Sequence, residues 1–458
     1  MKQYVRKKLS TSSVARWTVL MIVSLTMMTG YLVAKEMSPL QYLLELSPLQ
    51  GGLGWSSSEF GLFAGSRGFF NVFFLMLFIG GVILDKTNVR FAGMLSCALM
   101  VVGAGVIYYA VTAMSSQETV SLMMALPSMK QQVLVAALGF AIFGIGYEMC
   151  GITVSKVIVK WFSGKEMALA MGIQVALARL GTALALGFSP AIAIHYNIST
   201  PILLGLLSVG LGLIVYLVYC MMDVRFDHEQ KMVQETAHDS NESFHFSDLK
   251  LTIRNSGFWL ITLLCLLYYS ALYPFLDFAT KLMISKYGVN HEVAGLIPAI
   301  LPFGSIILTP LFGYMVDRKG HGATIMVVGT IMLTVVLIVF ALPLTSSMVA
   351  ITLMSILGIA FSLLPSALWP AVPKIVPMKQ LGSAYSIIYY IQNIGLMLIP
   401  IWIGRVLEAN TTHSMTDYTQ AIWIFATIGA LAIVVATLLL IQDRRKHYGL
   451  ETPNVQPD

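Results

Sequence analysis

Twelve blocks of mainly apolar residues follow one another along the chain, separated by short polar joints. A helix needs about 20 apolar residues to cross a hydrocarbon core ~30 Å thick, and each block is long enough to do so. The blocks are continuously apolar rather than alternating, which excludes a β-barrel and leaves helices to satisfy the lipid-exposed backbone. Only 11% of the 458 residues are charged, whereas 57% are hydrophobic. The sequence therefore predicts an all-α, multi-pass membrane protein.

Hydropathy also predicts the boundaries of the spans. They lie at 14–35, 59–83, 91–113, 132–160, 166–193, 199–222, 257–284, 292–315, 322–343, 347–372, 381–405 and 418–441. The longest polar stretch lies between the sixth and seventh spans and contains the run DHEQKMVQETAHDSNES. We therefore expect a first six-helix bundle over 1–222, a cytoplasmic linker over 223–256, a second six-helix bundle over 257–441 and a cytoplasmic tail over 442–458.

The net charge of +6 indicates topology rather than nucleic-acid binding, because Lys and Arg are spread over joints and do not form one basic face. They concentrate before the first span and in every second joint thereafter, among them Lys86, Arg90, Arg318 and Lys379. Positively charged loops remain in the cytoplasm during insertion. Both termini are therefore expected to be cytoplasmic, in the cell membrane or, in a eukaryote, the lysosomal membrane.

Enzyme chemistry finds no support in the sequence. All four cysteines lie inside apolar blocks, and no paired nucleophile and base, metal-ligand cluster or phosphate-binding loop with the ATPase spacing is evident. We expect no catalytic activity, no metal and no cofactor.

An internal repeat divides the chain into two similar halves. GGVILDK, ending at Lys86, and FGYMVDR, ending at Arg318, each follow the second span of a half. This pattern resembles the signature of the major facilitator superfamily, which implies twelve helices in two pseudo-symmetric halves. The resemblance also implies a cytoplasmic charge latch, in which Asp85 and Asp317 pair with Arg90, Arg318 or Lys319.

Three longer stretches resemble the lysosomal dipeptide uniporters of that superfamily. They are FGIGYEMCGITVSKVIVKWFSGKEMALAMGIQVALARLG (143–181), YYSALYPF (268–275) and SLLPSALWPAVPKIVPMKQLGSAYSIIYYIQNIGL (362–396). The resemblance implies transport of dipeptides by alternating access and, if the source is eukaryotic, allows an accessory membrane subunit. A monomer in the lipid bilayer, without nucleic acid, is expected.

Two ionisable residues lie near the middle of adjacent antiparallel spans and hence at one depth. They are Glu148 in span four and Arg179 in span five. Charges at this depth are costly and indicate function. Arg179 suits a substrate carboxylate and Glu148 an ammonium, so together they could bind the two ends of a zwitterion. The resemblance implies this substrate-binding role, while a purely structural salt bridge is the alternative.

Aromatic and amide side chains of the second half are further candidates for peptide contacts. They are Tyr268 and Tyr269 in span seven, Trp369 in span ten, and Gln392 and Asn393 in span eleven. A peptide requires such partners for its amide group and its variable side chain. Residues at helical spacing also serve packing, and that alternative stays open for each of them.

Arg67 in span two and Asp277 in span seven lie nearer the extracellular surface. Spans one and seven usually form the extracellular gate in the superfamily, so the resemblance implies that Arg67 and Asp277 pair when that gate closes. The alternative is that both are rim charges in a water-filled vestibule, because long side chains can reach water from such positions.

Two other functions fit the sequence less well than dipeptide transport. Proton-coupled transport or exchange of organic anions would use Arg67 and Arg179 as a clamp, but Glu148 would repel an anion. A nutrient-sensing receptor or scaffold on a transporter fold would need a long partner-binding segment, and the tails and linker are short.

The charge bias makes a testable prediction about topology. Ser240 in the linker and the C-terminal tail should lie on the same, cytoplasmic side, because an even number of spans separates them. Reporter fusions at the two sites should give the same signal. Opposite signals would contradict the predicted span count.

Overall fold

The structure is a computed structural model. It describes residues 12–120, 128–162, 166–234, 254–377, 381–412 and 415–453. These residues form a helical bundle in two halves, with two short antiparallel strand pairs in joints between helices.

Within the described residues, the first half consists of helices α1 to α9. Its helices are α1 (Ser13–Glu36), α2 (Gln41–Glu45), α3 (Ser57–Ser66), α4 (Phe69–Phe73), α5 (Met76–Lys86), α6 (Val89–Ala113), α7 (Gln131–Phe162), α8 (Met167–His195) and α9 (Ser199–Gln234), with 3-10 turns at Ser38–Leu40 and Pro48–Gln50. Strands β1 (Thr119–Val120) and β2 (Met129–Lys130) pair between α6 and α7. Helix α9 continues past the predicted linker boundary at 222.

The second half contains six long helices. They are α10 (Ser256–Tyr287), α11 (Leu296–Lys319), α12 (Gly322–Ala341), α13 (Ser347–Ile375), α14 (Leu381–Ala409) and α15 (Thr419–Lys446). Strands β3 (Thr411–Thr412) and β4 (Met415–Thr416) join α14 to α15. The prediction of an all-α membrane protein is confirmed.

The sequence predicts one continuous helix for the second span, but the structure divides this region into α3, α4 and α5. Within the described residues, eleven helices are long and apolar enough to cross a membrane, and α3, α4 and α5 together occupy the remaining position. The chain breaks first at Arg67 and Gly68, and again before α5, where Leu75 has the left-handed φ of 53°. A non-glycine residue rarely adopts this conformation, so the break depends on support from its surroundings.

The two ends of the bundle differ. We call the end where α1 begins and α15 ends the basic end, since Arg16, Lys160, Lys374 and Lys446 lie there. At the opposite end, which we call the closed end, α3 packs tightly against α14. A Cβ atom on Gly61 would lie 2.4 Å from the carbonyl oxygen of Pro400 and 2.9 Å from the Cα of Gly404. Only glycine permits this approach, which brings the halves together at the closed end.

An ion cluster ties three helices of the first half together at the basic end. Asp223 is fully buried and accepts hydrogen bonds from Arg90 (3.0 Å), Lys160 (2.8 Å), Trp161 (3.1 Å) and Tyr219 (3.0 Å). Arg90 also bonds to Asp227 at 2.7 Å. The sequence predicts the signature aspartate as a latch partner of Arg90; in the structure Arg90 binds two carboxylates of α9. The Asp85 side chain lies outside the described part of the chain.

The residues that follow α15 pack on the basic end of the second half. The amides of His321 and Gly322 donate to the carbonyls of Glu451 and Leu450, each at 3.0 Å. The Glu451 carboxylate accepts from the Thr324 amide at 2.8 Å, and Leu450 is buried. The segment up to Pro453 is therefore docked where the sequence analysis expected only a tail.

The Asp223 cluster should stabilise the first half strongly. Asp223→Ala leaves Arg90 and Lys160 without their shared buried partner, and breaking such a network costs about 3–5 kcal/mol. The melting temperature of the purified protein should fall well below that of Asp227→Ala, whose carboxylate is 32% exposed. Equal melting temperatures for the two variants would contradict this role.

Candidate functional site

Arg179 of α8 reaches from the first half to the second at mid-depth. Its guanidinium donates a hydrogen bond of 2.7 Å to the hydroxyl of Tyr273 on α10 and lies 4.3 Å from the ring centroid of Phe361 on α13. Aromatic faces attract a guanidinium, so Phe361 supports it without neutralising it. Part of Arg179 remains accessible. It therefore bridges the two halves without being fully enclosed by them.

Glu148 lies on α7 and has two polar neighbours. It interacts with the charge of Arg67 and lies close to the Asn393 amide of α14. The position of Arg67 depends on Gly144, one turn before Glu148, because a Cβ atom there would lie 2.0 Å from the Arg67 carbonyl oxygen. The helix break at Arg67 thus places a second arginine in the centre. Its guanidinium carbon lies 5.0 Å from the ring centroid of Tyr147.

The sequence left open that Glu148 and Arg179 form a structural salt bridge with each other, and the structure does not show this salt bridge. Within the described residues, no ion pair joins Glu148 to Arg179, and their polar partners are Asn393 and Tyr273 respectively. The two charges share a depth but point to different neighbours. Their predicted role in binding substrate stays a prediction.

Tyr31 and Tyr147 were missed by the sequence analysis. Their ring centroids lie 5.0 Å apart, and Tyr31 also interacts electrostatically with both Arg179 and Glu148. Tyr31 therefore lies between the two candidate charges. Tyrosines are frequent in apolar helices, and the available signal was only that Tyr147 precedes Glu148.

Two of the predicted aromatic residues of the second half each stack on a further tyrosine. Tyr269 stacks on Tyr273 with a centroid distance of 5.4 Å, beside Arg179. Trp369 stacks on Tyr389 at 5.1 Å. Both stacks belong to helices that face the first half, so these two candidates lie near the central charges.

Two other candidates have their polar atoms engaged within the second half. The Tyr268 hydroxyl is fully buried and donates to the carbonyl of Ala360 at 2.6 Å, which assigns it to packing between α10 and α13. Gln392 accepts from the thiol of Cys265 at 3.3 Å and is 8% exposed. The structure thus favours the packing alternative for Tyr268 and gives Gln392 an internal partner.

The closed end is held by charges that join the halves. Lys35, at the end of α1, pairs with Asp277 of α10, and Ser38 donates to the same carboxylate at 2.7 Å. Lys281, one turn further along α10, pairs with Glu45. Asp277 thus lies at a contact between the halves, but its ion-pair partner is Lys35 rather than the expected Arg67. The gating roles of Arg67 and Asp277 remain predictions.

The second signature segment ends α11 at the basic end. The guanidinium carbon of Arg318 lies 4.9 Å from the ring centroid of Tyr314, one turn earlier on the same helix. Asp317 interacts with the charge of Lys374 on α13. Among the described hydrogen bonds and ion pairs, those between the halves lie at the closed end or at mid-depth. The latch roles of Asp85, Arg90, Asp317 and Arg318 stay predictions.

Two halves built from long apolar helices, joined by ion pairs at one end and carrying charges at mid-depth, have the architecture of an alternating-access membrane protein. Residues 118–400 match the family model described as Major Facilitator Superfamily. The chain belongs to this family of membrane transporters.

Its curated relatives include the lysosomal dipeptide transporter MFSD1 from several vertebrates. The zebrafish (Danio rerio) protein is 26% identical over 390 residues, which cover 82% of this chain and 77% of the relative. The bovine (Bos taurus) protein is 29% identical over 281 residues, or 59% of this chain and 58% of the relative. The chain thus spans well under two thirds of the bovine relative's length.

Solved structures support the fold. The nucleoside transporter NupG (D323A mutant) matches with a TM-score of 0.70 and 14% identity, covering 92% of this chain and 99% of that one. The peptide transporter POT in complex with sulfate gives a TM-score of 0.64, with 14% identity and coverage of 93% and 94%. The major facilitator fold predicted from the sequence is confirmed.

The Lys35 and Asp277 pair should control the closed end. Asp277→Asn removes the partner of a buried lysine, so the halves should separate more often at this end. Spin labels at Leu49→Cys and Thr345→Cys, both exposed and on opposite halves, would report the distance. The background would carry Cys220→Ser, since the other three cysteines are buried. Unchanged distances would contradict a role of this pair in closure.

Proposed function

We propose that the chain is a secondary transporter of dipeptides, with Arg179 binding the peptide carboxylate. The observation that carries this proposal is the setting of Arg179. Its hydrogen-bond partner is the neutral Tyr273 hydroxyl, its flat face is covered by Phe361, and no described acidic side chain forms an ion pair with it. A guanidinium in this state offers the planar pair of donors that a carboxylate requires.

The other peptide end would lie at Glu148. Its carboxylate has Arg67 as a charged neighbour and the Asn393 amide nearby. Arg67 offsets part of its charge, and the carboxylate remains an acceptor for an ammonium group. Tyr31 interacts with both Glu148 and Arg179 and would lie against the backbone of a bound peptide. Recognition of the two termini, common to all dipeptides, would leave side-chain identity open.

The name of the MFSD1 relatives supports this substrate class. Exchange of organic anions is the weaker alternative. Arg67 and Arg179 together exceed the charge of Glu148, which favours a carboxylate group in the substrate. However, Arg67 interacts with the charge of Glu148, and this carboxylate would repel an anion.

Transport would proceed by rocking of the halves around the central charges. If the basic end is cytoplasmic, as the distribution of Lys and Arg indicates, the structure represents a state sealed on the outer side. Both termini would then be cytoplasmic. The protein would lie in the cell membrane or in a lysosomal membrane and act as a monomer. If the source is eukaryotic, an accessory membrane subunit could accompany it.

Facilitated diffusion rather than proton coupling is the simplest energetics for this site. The resemblance of residues 143–181, 268–275 and 362–396 to dipeptide uniporters supports this choice. Uptake of labelled dipeptides into reconstituted vesicles should therefore follow the peptide gradient. Accumulation driven by a pH gradient alone would contradict uniport.

Charge variants of the site test the substrate. Arg179→Ala should lower dipeptide uptake by about 10- to 100-fold, since a hydrogen bond to a charged group contributes about 1.5–3 kcal/mol. Glu148→Gln should depress transport of Lys-, Arg- or His-containing dipeptides most. The double variant should not recover uptake, because the two residues do not form an ion pair with each other.

The matched control is Arg225→Ala, which removes an exposed arginine at the basic end of α9. It should leave uptake unchanged. Melting temperatures of all variants would separate loss of binding from loss of folding. Full uptake by Arg179→Ala, or restored uptake in the double variant, would overturn the assignment of these residues as the substrate site.

A further inference from the structure

We infer that Tyr273 couples substrate binding at Arg179 to the opening of the closed end. This inference deepens the proposed function and rests on it for the identity of the ligand. It assigns Tyr273 as a positioning residue: its hydroxyl binds Arg179, and its own helical turn carries the Asp277 contact that seals the closed end.

The first link is the hydrogen bond between the halves at mid-depth. The Arg179 guanidinium of the first half donates to the Tyr273 hydroxyl of the second half at 2.7 Å. A hydrogen bond from a charged donor contributes more than a neutral one, about 1.5–3 kcal/mol. This bond therefore holds α8 and α10 together directly below the closed end.

The second link is the contact of the same residue, Tyr273, with Lys35 of the first half. The Lys35 ammonium donates to the Tyr273 carbonyl oxygen at 3.3 Å and lies 5.6 Å from the centroid of its ring. The same ammonium pairs with Asp277, four residues later on α10. Residues four apart share one face of a helix, so one turn of α10 contacts both Arg179 and Lys35.

Pro274 lies inside this turn. Proline has no backbone N–H, so the carbonyl of Ser270 lacks its usual donor in the helix. The turn that carries Tyr273 and Asp277 is consequently less constrained by α10 than a regular turn would be. It can change its contacts with the first half without unfolding the rest of the helix.

Substrate changes the first link because it competes for Arg179. A peptide carboxylate accepts two parallel hydrogen bonds from a guanidinium and outcompetes a neutral phenol. The Tyr273 hydroxyl then loses its partner across the halves, and the closed end is left with its remaining contacts, among them the ion pairs of Lys35 and Lys281. Binding at Arg179 therefore weakens closure, and the removal of the Tyr273 hydroxyl should have the same effect without substrate.

Tyr273→Phe separates these contacts. The variant removes the hydroxyl that Arg179 binds but keeps the ring beside Lys35 and the backbone carbonyl that Lys35 reaches. The matched control is Tyr287→Phe on the same helix, where the buried hydroxyl has no hydrogen-bond partner. Both variants would carry the spin labels at positions 49 and 345 and would be measured with and without the dipeptide Ala-Ala.

In the unaltered protein and in Tyr287→Phe, the dipeptide should increase the population with long distances at the closed end. Without peptide, the population with long distances should be about 10-fold or more larger in Tyr273→Phe than in the unaltered protein, because a hydrogen bond from a charged donor is lost. Addition of the peptide should then change this population little. The variant should also bind the dipeptide several-fold more tightly, because Arg179 no longer gives up a partner. A purely structural role would not increase affinity.

A Tyr273→Phe protein that matches the unaltered one, both in its peptide-free distances and in its peptide response, would overturn the inference. Weaker binding combined with a normal distance response would also overturn it and would make Tyr273 a substrate contact only. Absence of dipeptide binding to the unaltered protein would contradict the proposed function instead. In that case the peptide-free distances would still decide whether Tyr273 holds the closed end.

Discussion

Ionisable groups are expensive inside an apolar bundle, and this cost determines how the two halves meet. Each such group requires a partner or access to water, because lipid offers neither. At the closed end the charges satisfy each other across the halves, through Lys35 with Asp277 and Lys281 with Glu45. At mid-depth, tyrosines lie against Arg67 and Arg179, and the Asn393 amide lies near Glu148. The closed end is thus held by ion pairs, whereas tyrosines and an amide surround the central charges.

Close helix packing makes these contacts reachable. Gly61 and Gly404 allow α3 and α14 to touch through their backbones, and Gly144 allows the break at Arg67 to press against α7. Without these approaches the side chains would not span the distance between halves. Small residues at helix contacts are the usual means of association where no hydrophobic force acts between helices. Here they also fix which charges face each other.

The sequence predicted the elements well, because span length and the Lys and Arg bias depend on local composition. It located Glu148 and Arg179 at one depth, since depth follows from position along a helix. It could not predict their neighbours, because a partner depends on the rotation of each helix about its axis and on which helices are adjacent. Arg90 illustrates the limit: it binds Asp223 and Asp227, which follow far later in the chain.

The broken second span shows a further limit. Phe69–Phe73 and its flanks are apolar enough to continue a helix, and no proline marks the breaks. Leu75 adopts its left-handed conformation because tertiary contacts outweigh local preference. At this break, Arg67 lies over the ring of Tyr147 and interacts with the charge of Glu148.

The two halves contribute different chemistry to the centre, and this division bears on selectivity. Arg67, Glu148 and Arg179 all come from the first half, whereas the second half supplies Tyr273, the Trp369 stack and an amide. If the first half binds the charged termini of a dipeptide, its variable side chains face aromatic surfaces. Aromatic rings contact apolar groups and cations alike. Such a site would recognise dipeptides as a class and discriminate only weakly among their side chains.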